Sequence, residues 1–484
     1  MARRIKQAGA VIAVMLIAAC ALGNDKGEKP RDVLHDGSRI SPQLLAAGAD
    51  PWIMKRGNFY YSVESLGDSV ALRRSAALSS IAAAERQIIH LKTGDTAHKV
   101  GDFWAPELHY LDGSWHIYVA GKRSGDDIHR MYVLSNPADN PSLGHWKFEE
   151  LGGMDDKFAI DGTVVENNTG RYFVWSGWEG YTNVQQNLYI AHMVSPTQVK
   201  SEKILISRPE FSWETVGSPK VNEGPTAITV GKTVNLAYSA SGSWTDSYCI
   251  GVLTAPVDAD LAAPGSWAKQ SEPVLASGNG VVAPGHNSFV STQDGNVYMI
   301  YHAARYSGSG WDRAVRYQKV SFDSAGVLQA AEPVSGAALA PIPMGDPPRV
   351  RMVASDVVQK SKKLVITKDS KALGGQALAG FEHFDDTAVW NIDIPHHGTY
   401  AIFVWARPTD LVKEAKASQD LALIRVTVNG EQTDRDIELP QSQDYQPAVL
   451  TLQLRAGQQR IGVSADAPLS PLLISAIELT PSRS

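Results

Sequence analysis

The sequence predicts an all-β protein, a five-bladed β-propeller followed by an antiparallel β-sandwich. Two observations carry this prediction: a short aromatic segment that recurs five times at near-constant spacing, and a later run of alternating strands bounded by turns. The stretches between the repeats lack helical periodicity of useful length. At 484 residues the chain is also long enough for two or three folded units.

The amino-acid composition is typical of a soluble, turn-rich globular protein. Charged residues make up 20% of the chain and hydrophobic residues 43%, with 41 Gly and 26 Pro. A formal net charge of −6 argues against nucleic acid or another polyanion as a partner. Of the two cysteines, Cys249 lies in an apolar, strand-like run and is expected to be a packed thiol, so the sequence predicts no disulfide framework.

Residues 1–19 are predicted to be a signal peptide. Three basic residues stand within the first six positions, and the apolar run that follows is too short to span a bilayer. The run ends in Leu16-Ile17-Ala18-Ala19-Cys20, which is similar to a bacterial lipobox. We therefore expect lipidation of Cys20, a tether over residues 20–44, and an exported lipoprotein that meets a membrane only through its lipid anchor. The alternative is an ordinary signal peptide with Cys20 unmodified.

The five repeats are marked by aromatic residues. These are Tyr61, Tyr118, Trp175, Tyr238 and Tyr301, and successive markers stand 57, 57, 63 and 63 residues apart. Before each marker come a turn containing Gly or Asn and an earlier strand-like run, which together form a hairpin pattern. Repeated hairpins favour a propeller over residues 45–345, because the strands of a sandwich need not repeat.

One polar residue leads the first strand of each hairpin. These residues are Asp50, Glu107, Asp161, Glu223 and His286. If the first strands line a central channel, the five side chains meet at one mouth. Carboxylates that converge there repel one another, so at least one should keep its proton more readily than a free side chain. A protonated and an ionised carboxyl side by side are what hydrolysis of a glycosidic bond requires.

The motifs around these residues resemble those of glycoside hydrolase family 43. They are Ala49-Asp50-Pro51-Trp52, Trp104-Ala105-Pro106-Glu107, Ile160-Asp161-Gly162-Thr163, Val221-Asn222-Glu223-Gly224-Pro225 and Gly285-His286-Asn287-Ser288-Phe289. The resemblance implies five blades and inversion at the anomeric carbon. It also implies Asp50 as general base, Glu223 as general acid, and Asp161 as the carboxylate that raises the proton affinity of the acid and orients it.

The same resemblance implies residues that bind the sugar. They are Trp104 as a stacking platform, Asn222, His286 and Arg316, with Arg313 as the rival of Arg316. Glu107 is expected to brace neighbouring strands. No cofactor is required, and a calcium or sodium ion held near the axis by His286 through water is left open, because hard calcium prefers oxygen ligands.

Segments between the repeats resemble the exo-acting α-L-arabinofuranosidase branch of the family. They include Trp175-Ser176-Gly177-Trp178-Glu179-Gly180 and Gln186-Asn187-Leu188-Tyr189-Ile190-Ala191. The expected function is release of terminal α-L-arabinofuranose from arabinan or arabinoxylan-type plant polysaccharides. The alternatives are a β-xylosidase of the same family and a surface glycan-binding protein without activity.

A second unit is predicted over residues 352–484. A proline-rich segment, residues 338–349, precedes it, and alternating strand patterns fill it. The unit resembles the carbohydrate-binding sandwiches of module family 6 and their galactose-binding-like relatives. Trp390 and Trp405 lie inside strand patterns and are expected in the core, so sugar binding by this unit is a hypothesis and a purely structural role is its alternative.

Overall fold

The computed structural model describes residues 34–91, 99–412 and 421–482. Within these ranges the chain is all-β, as predicted, and helix is limited to short 3₁₀ segments. These are Leu78–Ala83, Ser212–Glu214, Ala354–Asp356 and Leu373–Gly375. The predicted signal peptide, Cys20 and residues 20–33 of the predicted tether lie outside the described ranges. No helix among the described residues has the length and apolar character that a membrane span requires.

The predicted tether reaches residue 44, but the structure places residues 39–45 inside the fold. Strand β1 (Arg39–Ile40) pairs with β23 (Ala340–Pro341), and β2 (Gln43–Leu45) pairs with β22 (Arg313–Val320). Leu44 is buried in the core beneath these strands. The sequence did not indicate this, because two- and three-residue strands carry no readable alternation and acquire their structure from the pairing partner.

The five predicted hairpins are confirmed, each within its own group of antiparallel strands. The first group is β3 (Trp52–Arg56), β4 (Phe59–Ser65), β5 (Ser69–Ser75) and β6 (Gln87–His90). The second is β7 (Val100–Leu111), β8 (Ser114–Arg123), β9 (His129–Asn136) and β10 (Lys147–Glu150). The third is β11 (Ala159–Asn167), β12 (Gly170–Gly177) and β13 (Gln185–Ser195), with β14 (Gln198–Val199) and β15 (Ile204–Ser207) beside β13.

The fourth and fifth groups follow the same plan. The fourth is β16 (Lys220–Val230), β17 (Thr233–Ala240), β18 (Cys249–Pro256) and β19 (Ala268–Lys269), joined to the third by a short parallel pairing of β13 with β16. The fifth is β20 (Val282–Ser291), β21 (Val297–Ala304), β22 and the N-terminal β2. A segment from the start of the chain therefore completes the last group.

The first strands of the five hairpins form a ring. Along the chain β3, β7, β11, β16 and β20 each contact the next, and β20 contacts β3. The five aromatic markers are buried, and Tyr118 and Trp175 share one core cluster with Phe173. The aromatic repeat is thus explained by packing: each marker fills space between its own sheet and a neighbour.

The C-terminal strands form two six-stranded antiparallel sheets. One contains β24 (Val350–Val353), β26 (Val365–Lys368), β27 (Gln376–Phe381), β29 (Gly398–Pro408), β33 (Gln446–Leu454) and β35 (Leu472–Pro481). The other contains β25 (Gln359–Lys360), β28 (Ala388–Ile394), β30 (Ala422–Val428), β31 (Glu431–Gln432), β32 (Ile437–Leu439) and β34 (Gly457–Asp466). Both sheets contribute to one apolar core. Trp390 and Trp405 are fully buried, which confirms the prediction that they pack rather than bind sugar.

A buried charge cluster joins the two parts of the chain. Glu478 in β35 forms ion pairs with Arg349 and Arg351, and all three side chains are buried. Arg349 also donates to the carbonyl of Ser79 at 2.7 Å, while Arg351 donates to the carbonyl oxygens of Leu34, at 3.0 Å, and of Arg39. Arg349 thus reaches the repeat region and Arg351 reaches residues 34–39, so these contacts link the C-terminal sheets to the earlier part of the chain.

Candidate active site

The five leading polar residues lie at irregular positions of the inner strands. Four of them are inside their strands rather than at the head, where the sequence placed them. The strand pairing shifts between Trp104 and Glu107, Ile160 and Thr163, Glu223 and Thr226, and Gly285 and Ser288. Asp50, Asp161 and His286 have positive φ values of 48°, 56° and 43°. Such bulges change the direction of side chains, so these residues do not follow the alternation between the two faces that an ordinary strand shows.

Asp161 and Glu223 form a buried carboxyl pair on β11 and β16. The backbone N–H of Gly224 donates to Oδ2 of Asp161 at 2.9 Å, so the residue after Glu223 ties the two strands together. Gly224 has a φ of 54°, and a Cβ there would lie 3.1 Å from the His286 ring, so this position requires glycine. Burial, followed by the charges of Glu223 and Asp50, raises the pKa of Asp161 well above its usual value.

Glu223 has one well-defined hydrogen-bond partner. The Tyr248 hydroxyl donates to its Oε1 at 2.8 Å, and the Ser243 side chain lies close enough to lower its pKa. Burial raises the pKa of Glu223 to about 7, against the lowering effects of Tyr248 and Arg313 and with a further increase from the charge of Asp50. The Asp161–Glu223 pair therefore retains a proton at a pH where a free carboxyl would be ionised.

Asp50 is the accessible carboxyl of the three, with 28% of its side chain exposed. Its Oδ1 lies 3.1 Å from Nδ1 of His286 and 3.7 Å from Nη1 of Arg313. The backbone N–H of Asp50 donates to Nδ1 of His302 at 3.0 Å, which requires that nitrogen to be unprotonated. Burial and the charge of Arg313 lower the pKa of His302 well below its usual value, in agreement with a neutral ring. His286 and Arg313 thus orient the carboxylate of Asp50, and His302 holds its backbone.

Arg313 lies at the site, and Arg316 does not. The sequence favoured Arg316 as the sugar contact, but that side chain donates to the carbonyl of Val334 at 2.6 Å and lies in the strand facing Gln43 of β2. Residues three apart on a strand point to opposite faces, so Arg313 and Arg316 of β22 cannot both reach the mouth. Arg313 donates to the carbonyl of Ser243 at 2.9 Å and faces Asp50.

Asn222 is also removed from the site, contrary to the prediction that it binds sugar. It is fully buried, accepts a hydrogen bond from the Ser207 hydroxyl at 2.8 Å, and donates to Oε1 of Glu214 at 3.2 Å. Glu214 is itself buried and paired with Lys269. Asn222 and Glu223 are consecutive in β16, so their side chains point to opposite faces of the strand. When Glu223 faces the mouth, Asn222 faces the buried hydrogen bonds with Ser207 and Glu214.

Trp104 is placed where a stacking platform could act. Its indole is 41% exposed, stacks on the His129 ring with centroids 3.7 Å apart, and donates to Oδ1 of Asp102 at 3.0 Å. One face is therefore occupied by His129. A sugar-binding role for Trp104 stays a prediction.

Glu107 fits the bracing role expected for it. It is buried and lies 3.0 Å from Nε2 of His109 on its own strand, and burial raises its pKa well above the usual value. Cys249 is buried and unpaired, as predicted.

The residues described do not provide a protein-only metal cage. Within residues 34–91, 99–412 and 421–482, His, Cys, Asp and Glu nowhere gather in groups of three or more suited to a metal ion. Nδ1 of His286 is directed at Asp50. Among these residues no such side-chain cluster surrounds His286, and an ion bound to it through water stays a prediction.

Tyr248, Ser243 and His302 contribute to the site without having been singled out in the sequence. Tyr248 stacks on His302 with ring centroids 5.8 Å apart. Tyr248 and Ser243 belong to the loop between β17 and β18, where no repeat signal marks them. Only their contact with Glu223 in the folded chain identifies them.

Tyr248→Phe tests whether Tyr248 sets the proton affinity of Glu223. Its hydrogen bond favours the ionised carboxylate, so removing it should raise the pKa of Glu223. Any activity that needs Glu223 protonated should then persist to higher pH, with the basic limb of kcat/KM shifted upward by about half to one pH unit. Tyr238→Phe is the matched control, because Tyr238 donates at 2.8 Å to the bracing carboxylate Glu214. A basic limb that shifts equally in both variants, or in neither, contradicts this role.

The site combines a buried pair of carboxyl groups with raised pKa values and an accessible carboxylate, and glycoside hydrolases use two carboxyl groups as acid and base. Residues 41–328 match the family described as "Glycosyl hydrolases family 43". This match covers more than half of the chain, and the protein belongs to that family.

Two named arabinofuranosidases are similar to this chain. The chain is 36% identical over 310 residues to the extracellular exo-α-(1→5)-L-arabinofuranosidase of Streptomyces avermitilis, and the match covers 60% of this chain and 63% of that protein. It is 34% identical over 305 residues to α-L-arabinofuranosidase 43 of Humicola insolens, again covering 60% of this chain and 63% of the relative. The chain thus spans just under two thirds of the length of these two relatives.

Solved structures give two further comparisons. The α-L-arabinofuranosidase of Lactobacillus brevis superposes with a TM-score of 0.56 at 31% identity, over 62% of this chain and 98% of that structure. An exo-β-1,3-galactanase from Phanerochaete chrysosporium superposes with a TM-score of 0.53 at 15% identity, over 91% of this chain and 100% of that structure. The second likeness concerns the fold alone.

Proposed function

We propose that this protein is an inverting, exo-acting α-L-arabinofuranosidase that releases terminal arabinose from arabinan or arabinoxylan-type glycans. The observation that carries the proposal is the contrast between Glu223, buried with a pKa of about 7, and Asp50, whose carboxylate is accessible. The names of the relatives support arabinofuranose as the sugar.

Glu223 acts as the general acid in this mechanism. It protonates the oxygen of the departing group, and its raised pKa keeps the proton available near neutral pH. Asp161 shares the proton of the pair and accepts a hydrogen bond from the Gly224 N–H, which fixes the β16 backbone beside the acid. Repulsion between two buried carboxyls favours retention of the shared proton.

Asp50 acts as the general base. It takes a proton from a water molecule as that water attacks the anomeric carbon from the face opposite the departing oxygen. His286 and Arg313 orient the carboxylate, and the backbone bond to His302 holds its strand in place. The direct displacement inverts the anomeric centre. Trp104 is proposed to stack on the sugar.

The proposed architecture is a five-bladed propeller followed by a sandwich. The closed ring of five inner strands supports the blade count, and the shared core of the two C-terminal sheets supports the sandwich. The contacts of Arg349 with Ser79 and of Arg351 with Arg39 favour a bracing role for the sandwich, with sugar binding as the second candidate. Export as a lipoprotein through Cys20 is part of the proposal, and the relatives named as extracellular support the export.

The proposal is tested by the sugar that the wild-type protein releases. We expect hydrolysis of 4-nitrophenyl α-L-arabinofuranoside with a kcat/KM at least about tenfold above that for 4-nitrophenyl β-D-xylopyranoside. Preference for the xyloside would support the β-xylosidase. No release from either substrate would favour a glycan-binding protein.

A further inference from the structure

Two tryptophans stand exposed on loops that are hydrogen-bonded to the site. Trp244 is 38% exposed and Trp311 is 68% exposed, and their ring centroids lie 6.5 Å apart at an interplanar angle of 71°. An indole offers a large apolar face and gains free energy when that face is covered. Trp244 and Trp311 stand side by side in solvent and form an exposed apolar surface, the tryptophan corner. Neither ring covers the apolar face of the other.

Hydrogen bonds hold this corner in place. The loop of residues 241–247 carries Trp244, and the loop of residues 305–312 carries Trp311. Asp246 of the first loop accepts a hydrogen bond from the Gly308 N–H of the second at 2.9 Å, and another from the Ser307 hydroxyl. A Cβ on Gly242 would lie 2.6 Å from the Trp244 ring, so glycine lets that indole rest on the loop backbone. The positions of the rings are thus built into the fold.

The corner is connected to the site through Ser243. The Trp311 Nε1–H donates to Oγ of Ser243 at 3.1 Å, and the Ser243 side chain lies close enough to Glu223 to lower its pKa. Arg313, which faces Asp50, donates to the Ser243 carbonyl. Ser243 therefore links the indole of Trp311 to Arg313 at the site. A group attached to the oxygen that Glu223 protonates would extend past Ser243 toward the two rings.

We propose that Trp244 and Trp311 form the binding site for the sugar residue on the leaving-group side of the scissile bond. This inference rests on the proposed function. The ligand is the penultimate α-L-arabinofuranose of the chain, whose weakly polar ring face can lie on an indole. Binding at this site increases kcat/KM only when the substrate carries a second sugar. The site should therefore raise kcat/KM for oligosaccharides relative to glycosides with a small leaving group.

The test compares two substrates that differ on the leaving-group side. For Trp311→Ala we expect kcat/KM for (1→5)-linked arabinotriose to fall about tenfold or more, with kcat/KM for methyl α-L-arabinofuranoside unchanged within about twofold. Trp311→Phe, which keeps a ring but lacks the N–H, should retain most of the activity on arabinotriose. Leu143→Ala removes another exposed apolar side chain and should change neither value.

Two outcomes overturn the proposal even if the wild type is active. One is an equal loss on both substrates in Trp311→Ala and Trp311→Phe, which would show that the indole acts through Ser243 on the acid. The other is wild-type activity on arabinotriose in Trp311→Ala.

Failure of the proposed function would appear separately, as no release by the wild type from either substrate. In that case, binding at the tryptophan corner is tested by titrating the protein with arabinotriose and measuring tryptophan fluorescence. Saturable quenching that Trp311→Ala abolishes would support the site. No quenching, or the same titration curve in both proteins, would overturn it.

Discussion

Replacing Glu223 with glutamine is expected to lower kcat/KM for arabinose release from (1→5)-linked arabinan by about 10²- to 10⁴-fold. Glutamine has nearly the same shape and can still accept the Tyr248 hydrogen bond, but it has no proton to give to the departing oxygen. The loss should be smaller for 4-nitrophenyl α-L-arabinofuranoside, because 4-nitrophenolate leaves readily without protonation. The measurement is the ratio of kcat/KM values for the two substrates in the variant and the wild type.

The pH profile gives this prediction a second readout. Because burial raises the pKa of Glu223 to about 7, the protonated acid is lost as the pH rises through that value, and wild-type kcat/KM should decline with it. Residual activity of Glu223→Gln should lack that limb. Glu166→Gln is the control, since it removes an exposed carboxyl near the turn end of β11 and should leave both rate and profile unchanged. A basic limb that persists in Glu223→Gln would assign the proton to another group.

Glu478→Gln should destabilise the protein by about 3–5 kcal/mol. The substitution keeps the shape of the side chain but leaves Arg349 and Arg351 buried without a counter-charge. The Trp405 indole, which donates to the same carboxylate at 3.0 Å, loses a charged acceptor. The free energy of unfolding from urea denaturation measures the effect. Glu149→Gln breaks the exposed pair with Lys147 and should cost no more than about 0.5 kcal/mol.

The same cluster predicts acid sensitivity. Burial would raise the pKa of Glu478, but the two arginines outweigh it and hold the pKa below the ordinary value of 4.5. A depressed folded-state pKa contributes stability above the unfolded value, and that contribution is lost as the pH falls through the folded value. Glu478→Gln should therefore show a shallower loss of stability below about pH 4.5 than the wild type. An equal slope in both proteins, or unchanged stability at neutral pH, contradicts this account of the cluster.

The hairpins could be predicted from the sequence because their signal is local and repeated. The turns, the aromatic markers and the leading polar residues recur together, and packing between sheets requires the aromatic residues. Glu223, Asp161 and Asp50 could be selected because each lies beside a recurring position of the inner strands. The closure by β2 could not be predicted, since three residues carry no pattern and their pairing with β22 spans most of the repeat region.

The site errors have a single physical origin. The family resemblance implies Asn222 and Arg316 as sugar contacts, but strand alternation decides which side chain reaches the mouth. The bulges shift that alternation where the site is built, so counting residues along the chain cannot recover it. Tyr248 and Ser243 come from a loop, and their contacts with Glu223 arise only from the fold.

The most direct test of the account is the anomer that the wild-type protein releases first. Asp50 is assigned to activate water on the face opposite the oxygen protonated by Glu223, so each turnover should invert the anomeric carbon. Proton NMR during the first minutes of hydrolysis of 4-nitrophenyl α-L-arabinofuranoside should show β-L-arabinofuranose appearing before mutarotation produces the α form. Initial formation of α-L-arabinofuranose would contradict the assignment of Asp50 as a base and require a covalent intermediate instead.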